Sequence, residues 1–273
     1  MIGCILTPFG LSLSKPCSSV GAKREGRPFD RLRASGVGVA LCLLGLPAPA
    51  LAQALSCPMP RDIPRPYVER VPDDQEPIVR PVAGYVLALS WSPQYCRGRE
   101  NNPREQLQCR DGRFGFVLHG LWPEAAGGDS PRWCVFAPRL PEALIRDNLC
   151  VSPSAQLIQH QWAKHGTCAT TNPRDYLRAS AKLYGKIRYP DMASLARRRV
   201  TVAEFRGAFA RANRWLPERS VGVATTRDDY LVEVKICLNA TFRPRPCNAY
   251  DRGRNPARPL KIRPLRIRAA GRS

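Results

Sequence analysis

The sequence predicts an α+β fold: a central antiparallel sheet flanked by helices and stabilised by disulfides. Three segments alternate apolar and polar residues at the period of a strand. Four helical segments lie among them without the regular β–α alternation that a parallel sheet requires. An even number of cysteines remains once an export signal is removed, the pattern of a disulfide framework.

The first strand spans 85–91, where Tyr85, Leu87, Leu89 and Trp91 fall on one face and Pro93 ends the run. The second covers 113–119 and finishes on His119. The third covers 230–237, with Val232, Val234 and Ile236 inward and Glu233 and Lys235 outward. Antiparallel pairing is the simplest arrangement for such amphipathic strands. Helices are expected at 141–148, 154–165, 173–187 and 202–215, the last opening on the capping-box spacing of Thr201 and Glu204.

Residues 1–52 read as an upstream extension plus a secretory signal: basic Arg31 and Arg33, an apolar run from Val37 to Leu46, and small residues up to a cleavage point after Ala52. The true start is expected near Val37. The apolar run is too short to cross a bilayer, so the mature chain is expected to be exported, periplasmic or extracellular, without stable membrane insertion. Residues 53–82 are expected to form a Pro-rich extended leader, 83–250 the folded domain, and 251–273 a mostly disordered basic tail in which one short strand is allowed. Removing the first 52 residues takes away Cys4, Cys17 and Cys42. It leaves Cys57, Cys96, Cys109, Cys134, Cys150, Cys168, Cys237 and Cys247, enough for four disulfides. No Cys-x-x-Cys occurs among them, which weighs against zinc.

A formal net charge of +21 and a pI near 10.2 favour a polyanionic partner, because phosphates neutralised by Lys and Arg release their counterions. The histidines narrow the chemistry. All three lie in two short segments, Phe116-Val117-Leu118-His119-Gly120-Leu121-Trp122-Pro123 and His160-Gln161-Trp162-Ala163-Lys164-His165-Gly166-Thr167-Cys168. On a helix, His160 and Lys164 are neighbours at i,i+4, as are Gln161 and His165, and Gly166 supplies a stop. Two imidazoles and an ammonium suit cleavage of an RNA phosphodiester by its own 2′-hydroxyl: one imidazole takes that proton, the other protonates the leaving 5′-oxygen, and a cation stabilises the added charge. This route needs no metal or other cofactor. The competing readings are a zinc protein using the three histidines and a solvated basic face beside a disulfide at Cys168.

Both segments resemble the two active-site motifs of the ribonuclease T2 family, His-Gly-Leu-Trp-Pro and His-Glu-Trp-x-Lys-His-Gly-Thr-Cys. The resemblance extends to Tyr85 through Cys96 and to Ile236-Cys237-Leu238, covering roughly 83–250. It implies a ribonuclease T2-like fold and a monomeric, metal-independent endoribonuclease of low base specificity, leaving 2′,3′-cyclic phosphate and then 3′-phosphate ends. It also implies that His119 and His165 are the acid–base pair, Lys164 stabilises the pentacovalent phosphate, His160 holds the substrate phosphate, and Trp122 packs or stacks near a base. Pairing of Cys237 with Cys247, and of Cys168 with Cys134 or Cys150, follows from the same resemblance. One position departs from the motif: Gln161 stands where the family has Glu. It keeps the hydrogen-bonding reach but cannot ionise, which implies reduced or retuned activity or, alternatively, a weakened RNA- or partner-binding protein on the same scaffold.

Overall fold

Alternating apolar residues pair into a sheet whose central strands are covered on both faces. The computed structural model describes residues 54–253 and 255–265. Residues 1–52, expected to hold an upstream extension and a signal, and the last part of the tail lie outside those residues.

In chain order the described strands are β1 (Ala54–Ser56), β2 (Gly84–Trp91), β3 (Arg113–Phe114), β4 (Phe116–Glu124), β5 (Val200–Thr201), β6 (Val221–Thr225), β7 (Leu231–Asn239) and β8 (Pro259–Leu260). The main sheet is antiparallel with order β4-β2-β7-β6, and β1 with β3 and β5 with β8 form small antiparallel pairs. The helices are α1 (Ser92–Tyr95), α2 (Glu142–Asn148), α3 (Ala155–Gln161), α4 (Thr167–Ala169), α5 (Pro173–Lys186), α6 (Met192–Arg197), α7 (Val202–Ala212) and α8 (Ala249–Arg252).

Tyr85, Leu87, Leu89 and Trp91 form one buried face of β2, in a core that also holds Ile158, Tyr176, Phe205 and Phe209 from the helices. On the other face, Val86 packs with Cys237, Cys247 and Trp122. Two anchors from α5 fix β4: the Tyr184 hydroxyl donates to Phe116 O at 2.8 Å and the Tyr176 hydroxyl to Leu121 O at 2.9 Å.

Alternation fails in β7. Glu233 and Lys235 are only 7% and 9% exposed instead of facing solvent, whereas Val232 is 36% exposed. The second face of the strand is covered as well, Glu233 by His119 of β4 and Lys235 by Asp251 of α8, and the register slips where Thr225 meets Leu231. The capping box at Thr201 forms as its spacing predicts, with Glu204 N donating to Thr201 Oγ1 at 3.2 Å and Thr201 N donating to Glu204 Oε2 at 2.6 Å. Helix α7 stops at Ala212, short of the predicted Trp215. Asn213 leaves the helix and uses its amide to donate to Phe209 O and Arg188 O and to accept from Arg188 N.

The predicted helix 154–165 divides. Residues Ala155–Gln161 are α-helical, Trp162–Gly166 form a wider π turn, and α4 continues directly. Gly166 is therefore not a stop. It lies where a Cβ would run into the Trp162 and Tyr176 rings, so glycine serves close packing there.

Among the described residues four disulfides form: Cys57–Cys150, Cys96–Cys109, Cys134–Cys168 and Cys237–Cys247. Two of them answer to the pairings implied by the resemblance, with Cys168 choosing Cys134. The Cys57–Cys150 bridge spans 93 residues of chain, and removing that freedom from the unfolded state contributes about 4.6 kcal/mol in a loop-entropy account. It also fastens residues 57–82 to the domain; that segment is extended, with one isolated bridge at Ile78 and Arg132, but it is packed and not free. The described part of the tail holds the one short strand that the sequence allowed, and it is packed. Helix α8 straddles the expected border, β8 pairs with β5, Ile262 is buried, and Arg263 O accepts from Trp91 Nε1 at 3.0 Å. Apolar residues spaced as Leu260 and Ile262 suffice to dock a strand despite the surrounding arginines.

Candidate active site

Strand β4 and the α3–π-turn segment form the two walls of an open cleft of about 580 Å³. His119, Trp122, His160, Gln161, Lys164 and His165 all line it, so the six residues singled out from the sequence converge on one site.

His119 occupies the point where the β2–β4 ladder slips: Ala88 faces Gly120 and Leu89 faces Leu118, which leaves His119 without a partner across the strands. Bulges of this kind redirect a side chain and are frequent beside active sites. The ring is fixed from β7, with Nδ1 2.6 Å from Glu233 Oε2. Ser90 Oγ also donates to that carboxylate, at 3.5 Å.

On the helix wall, Trp122 Nε1 donates to Gln161 Oε1 at 2.9 Å. Gly120 makes the close approach possible, since a Cβ there would overlap the Gln161 amide. The Trp122 ring stands between two imidazoles, edge-on to His119 at 5.1 Å and tilted against His165 at 5.7 Å. His165 Nδ1 is buried and, among the described residues, has no hydrogen-bond partner. Burial, reinforced by the charges of Lys164, His160 and His119, holds the His165 pKa well below the ordinary histidine value.

His160 Nδ1 lies 3.4 Å from Glu69 Oε2, on the segment before the sheet. Burial pulls the His160 pKa down while Glu69 pushes it up, and the net direction is downward. Lys164 sits with Nζ 5.8 Å from the centre of the Trp133 ring; burial and then Arg132 lower its pKa, opposed by Asp74 and Glu69.

The far end of the cleft is lined by Glu124, Asn248, Tyr250 and Asp251. Lys235 pairs with Asp251 at 3.0 Å and lies 4.6 Å from the Tyr250 ring centre and 5.4 Å from that of Trp122. Glu124 is pushed up to about 7 by burial and by its hydrogen bond with Asp251, against the opposing Arg245 guanidinium. Among the described residues, no three His, Cys, Asp or Glu side chains are grouped so that they could hold a metal ion.

Glu233 and Glu69 are the acidic partners of the histidines that sequence reading missed, along with the residues at the far end of the cleft. Glu233 looked like an ordinary solvent-facing member of an alternating strand, and Glu69 lay in a proline-rich stretch without periodicity. Only long-range pairing brings them to the histidines.

The Ribonuclease T2 family model matches residues 83–247, more than half of the chain. A Haemophilus influenzae protein named Probable ribonuclease is 38% identical over 123 residues, 41% of this chain and 45% of that one. An Aeromonas hydrophila protein named Ribonuclease is 34% identical over 158 residues, 57% of this chain and 71% of that one. The chain thus spans under half the length of the first relative and over two thirds of the second. Among solved structures, trichomaglin, an S-like ribonuclease, superposes with a TM-score of 0.55 at 20% identity, over 68% of this chain and all of its own; at that identity the likeness is one of fold. Four disulfides fit an oxidising compartment, and no helix among the described residues is long and apolar enough to cross a membrane.

Proposed function

The chain belongs to the ribonuclease T2 family, and on that premise we propose that it is a metal-independent endoribonuclease acting on single-stranded RNA. The observation that carries this reading is the meeting of His119, Lys164 and His165 around one cleft.

The environments of the two histidines divide their roles. His165, desolvated and with its pKa held low, stays neutral and accepts the proton of the 2′-hydroxyl. The freed 2′-oxygen attacks phosphorus. His119, whose Nδ1 faces the Glu233 carboxylate, carries a proton on Nε2 and delivers it to the departing 5′-oxygen. The P–O5′ bond breaks, leaving a 2′,3′-cyclic phosphate and a 5′-hydroxyl. Hydrolysis then exchanges the roles: His119 takes a proton from water, His165 returns one to the 2′-oxygen, and a 3′-phosphate results. Lys164 stabilises the charge on the pentacovalent phosphorus and His160 holds the substrate phosphate. Trp122 offers an aromatic face to a base without selecting one. DNA lacks the 2′-hydroxyl and survives.

The enzyme acts as a monomer after export by the signal in residues 1–52, in the periplasm or outside the cell, where its disulfides persist. Incubating the purified protein with RNA and with the matching DNA, both in excess EDTA, tests the reading. Cyclic-phosphate ends from RNA alone, absent with His165→Ala, are expected; activity that vanishes in EDTA contradicts it.

A further inference from the structure

A segment outside the matched family region holds one side of the cleft in place. Residues 57–82 precede the match, which begins at 83, and Cys57–Cys150 ties them to the domain. Gln156 grips this segment from α3, one turn before His160. Its Oε1 accepts from Tyr67 N at 2.9 Å, and its Nε2 donates to Glu69 Oε1 at 2.5 Å. The other carboxylate oxygen of Glu69 then lies 3.4 Å from His160 Nδ1.

A second contact runs through Trp133. Its Nε1 donates to Gln75 Oε1 at 3.0 Å, and its backbone N donates to Lys164 O at 2.8 Å. Trp133 has φ 53°, a left-handed conformation that a bulky residue adopts only where its surroundings impose it. Its ring stands edge-on to His160 at 5.6 Å and lies beneath the Lys164 ammonium.

We infer that residues 57–82 are a built-in clamp on the phosphate-holding wall, in which Glu69 is a positioning residue that fixes the ring of His160 and favours its protonated form. The inference rests on the proposed role of His160 in holding the substrate phosphate. The groups facing His160 are Glu69 from the clamp, Lys164 from the π turn and His119 from β4. Glu69 is the one among them that opposes the cost of burying a charged imidazole. Burial still leaves the His160 pKa below the ordinary histidine value; without Glu69 it would fall further, and a positive ring beside Lys164 would form only at a lower pH.

Ring titration by NMR in the full chain tests this, because the protein has three histidines and His160→Asn identifies one of them. In Glu69→Gln the His160 midpoint is expected to fall by about one pH unit while those of His119 and His165 stay nearly fixed. Steady-state kinetics on single-stranded RNA should show KM raised about tenfold with kcat within about twofold, and no further change when Glu69→Gln is added to His160→Asn. Should Glu69→Gln not fold, Glu69→Asp, which withdraws the carboxylate by one methylene, is expected to move the midpoint the same way by less. An unmoved His160 midpoint in a folded variant overturns the inference, as does an undiminished effect of Glu69→Gln on KM in the His160→Asn background. A wild-type chain that cleaves no RNA yet shows the midpoint shift would sink the enzymatic reading and leave the clamp standing.

Discussion

The two walls of the cleft treat their histidines in opposite ways. On the sheet wall, His119 is placed by a bulge and backed by the buried carboxylate of Glu233 at 2.6 Å. On the helix wall, His165 sits in a π turn, next to a lysine, with Nδ1 buried and, among the described residues, without a hydrogen-bond partner. One wall supplies a counter-charge for a positive ring; the other withholds it. On the proposed reading this difference in surroundings is what lets identical side chains serve as acid and base, since environment and not residue type sets the role of an imidazole.

Removing either ring should have the largest effect. His119→Ala and His165→Ala are each expected to lower kcat on RNA about a thousandfold, read by release of cyclic-phosphate ends. Lys164→Ala should cost about a hundredfold by deleting the cation beside the phosphate. It should also move the acid limb of the kcat profile. The Lys164 charge helps hold the His165 pKa down, so its loss raises that pKa, and the base becomes protonated at a higher pH than in the wild type. An acid limb that stays put or moves to lower pH would count against His165 as base.

Glu233→Gln preserves shape but removes the counter-charge from the sheet wall alone, with an expected loss of about tenfold in kcat. The effect should be smaller than that of His119→Ala because the ring remains. Gln161→Glu is expected to have the smallest effect, a rise in kcat of about threefold, since Trp122 Nε1 keeps its acceptor while the cleft gains a group that can ionise. A rise of about a hundredfold would instead mark the natural glutamine as a severe impairment.

Much of this site was legible in the sequence because its helix wall is local. His160, Gln161, Lys164 and His165 lie within two turns, and their grouping follows from chain geometry alone. The sheet elements were legible for the same reason, since period two in Tyr85, Leu87, Leu89 and Trp91 reports a buried face. What escaped reading depends on pairing across the fold. Glu233 is 114 residues from His119, and its burial requires knowing what packs over the second face of β7. The bulge at His119 arises from two strands slipping in register, which neither strand encodes by itself. The proline-rich segment gave no periodic signal because it carries no regular structure. It is held instead by Cys57–Cys150 and by contacts such as Tyr67 to Gln156, 89 residues apart.

The division of labour between the walls can be tested with a substrate that needs no acid. In uridine 3′-(4-nitrophenyl phosphate) the leaving group departs as a stable phenolate, so protonation by the enzyme loses most of its value, while removal of the 2′-hydroxyl proton is still required. Comparing kcat of His119→Ala and His165→Ala on this ester and on RNA, the account predicts that His119→Ala recovers most of its activity on the ester and that His165→Ala remains inactive on both. Recovery by His165→Ala instead, or by neither variant, would contradict the assignment of His165 as base and His119 as acid.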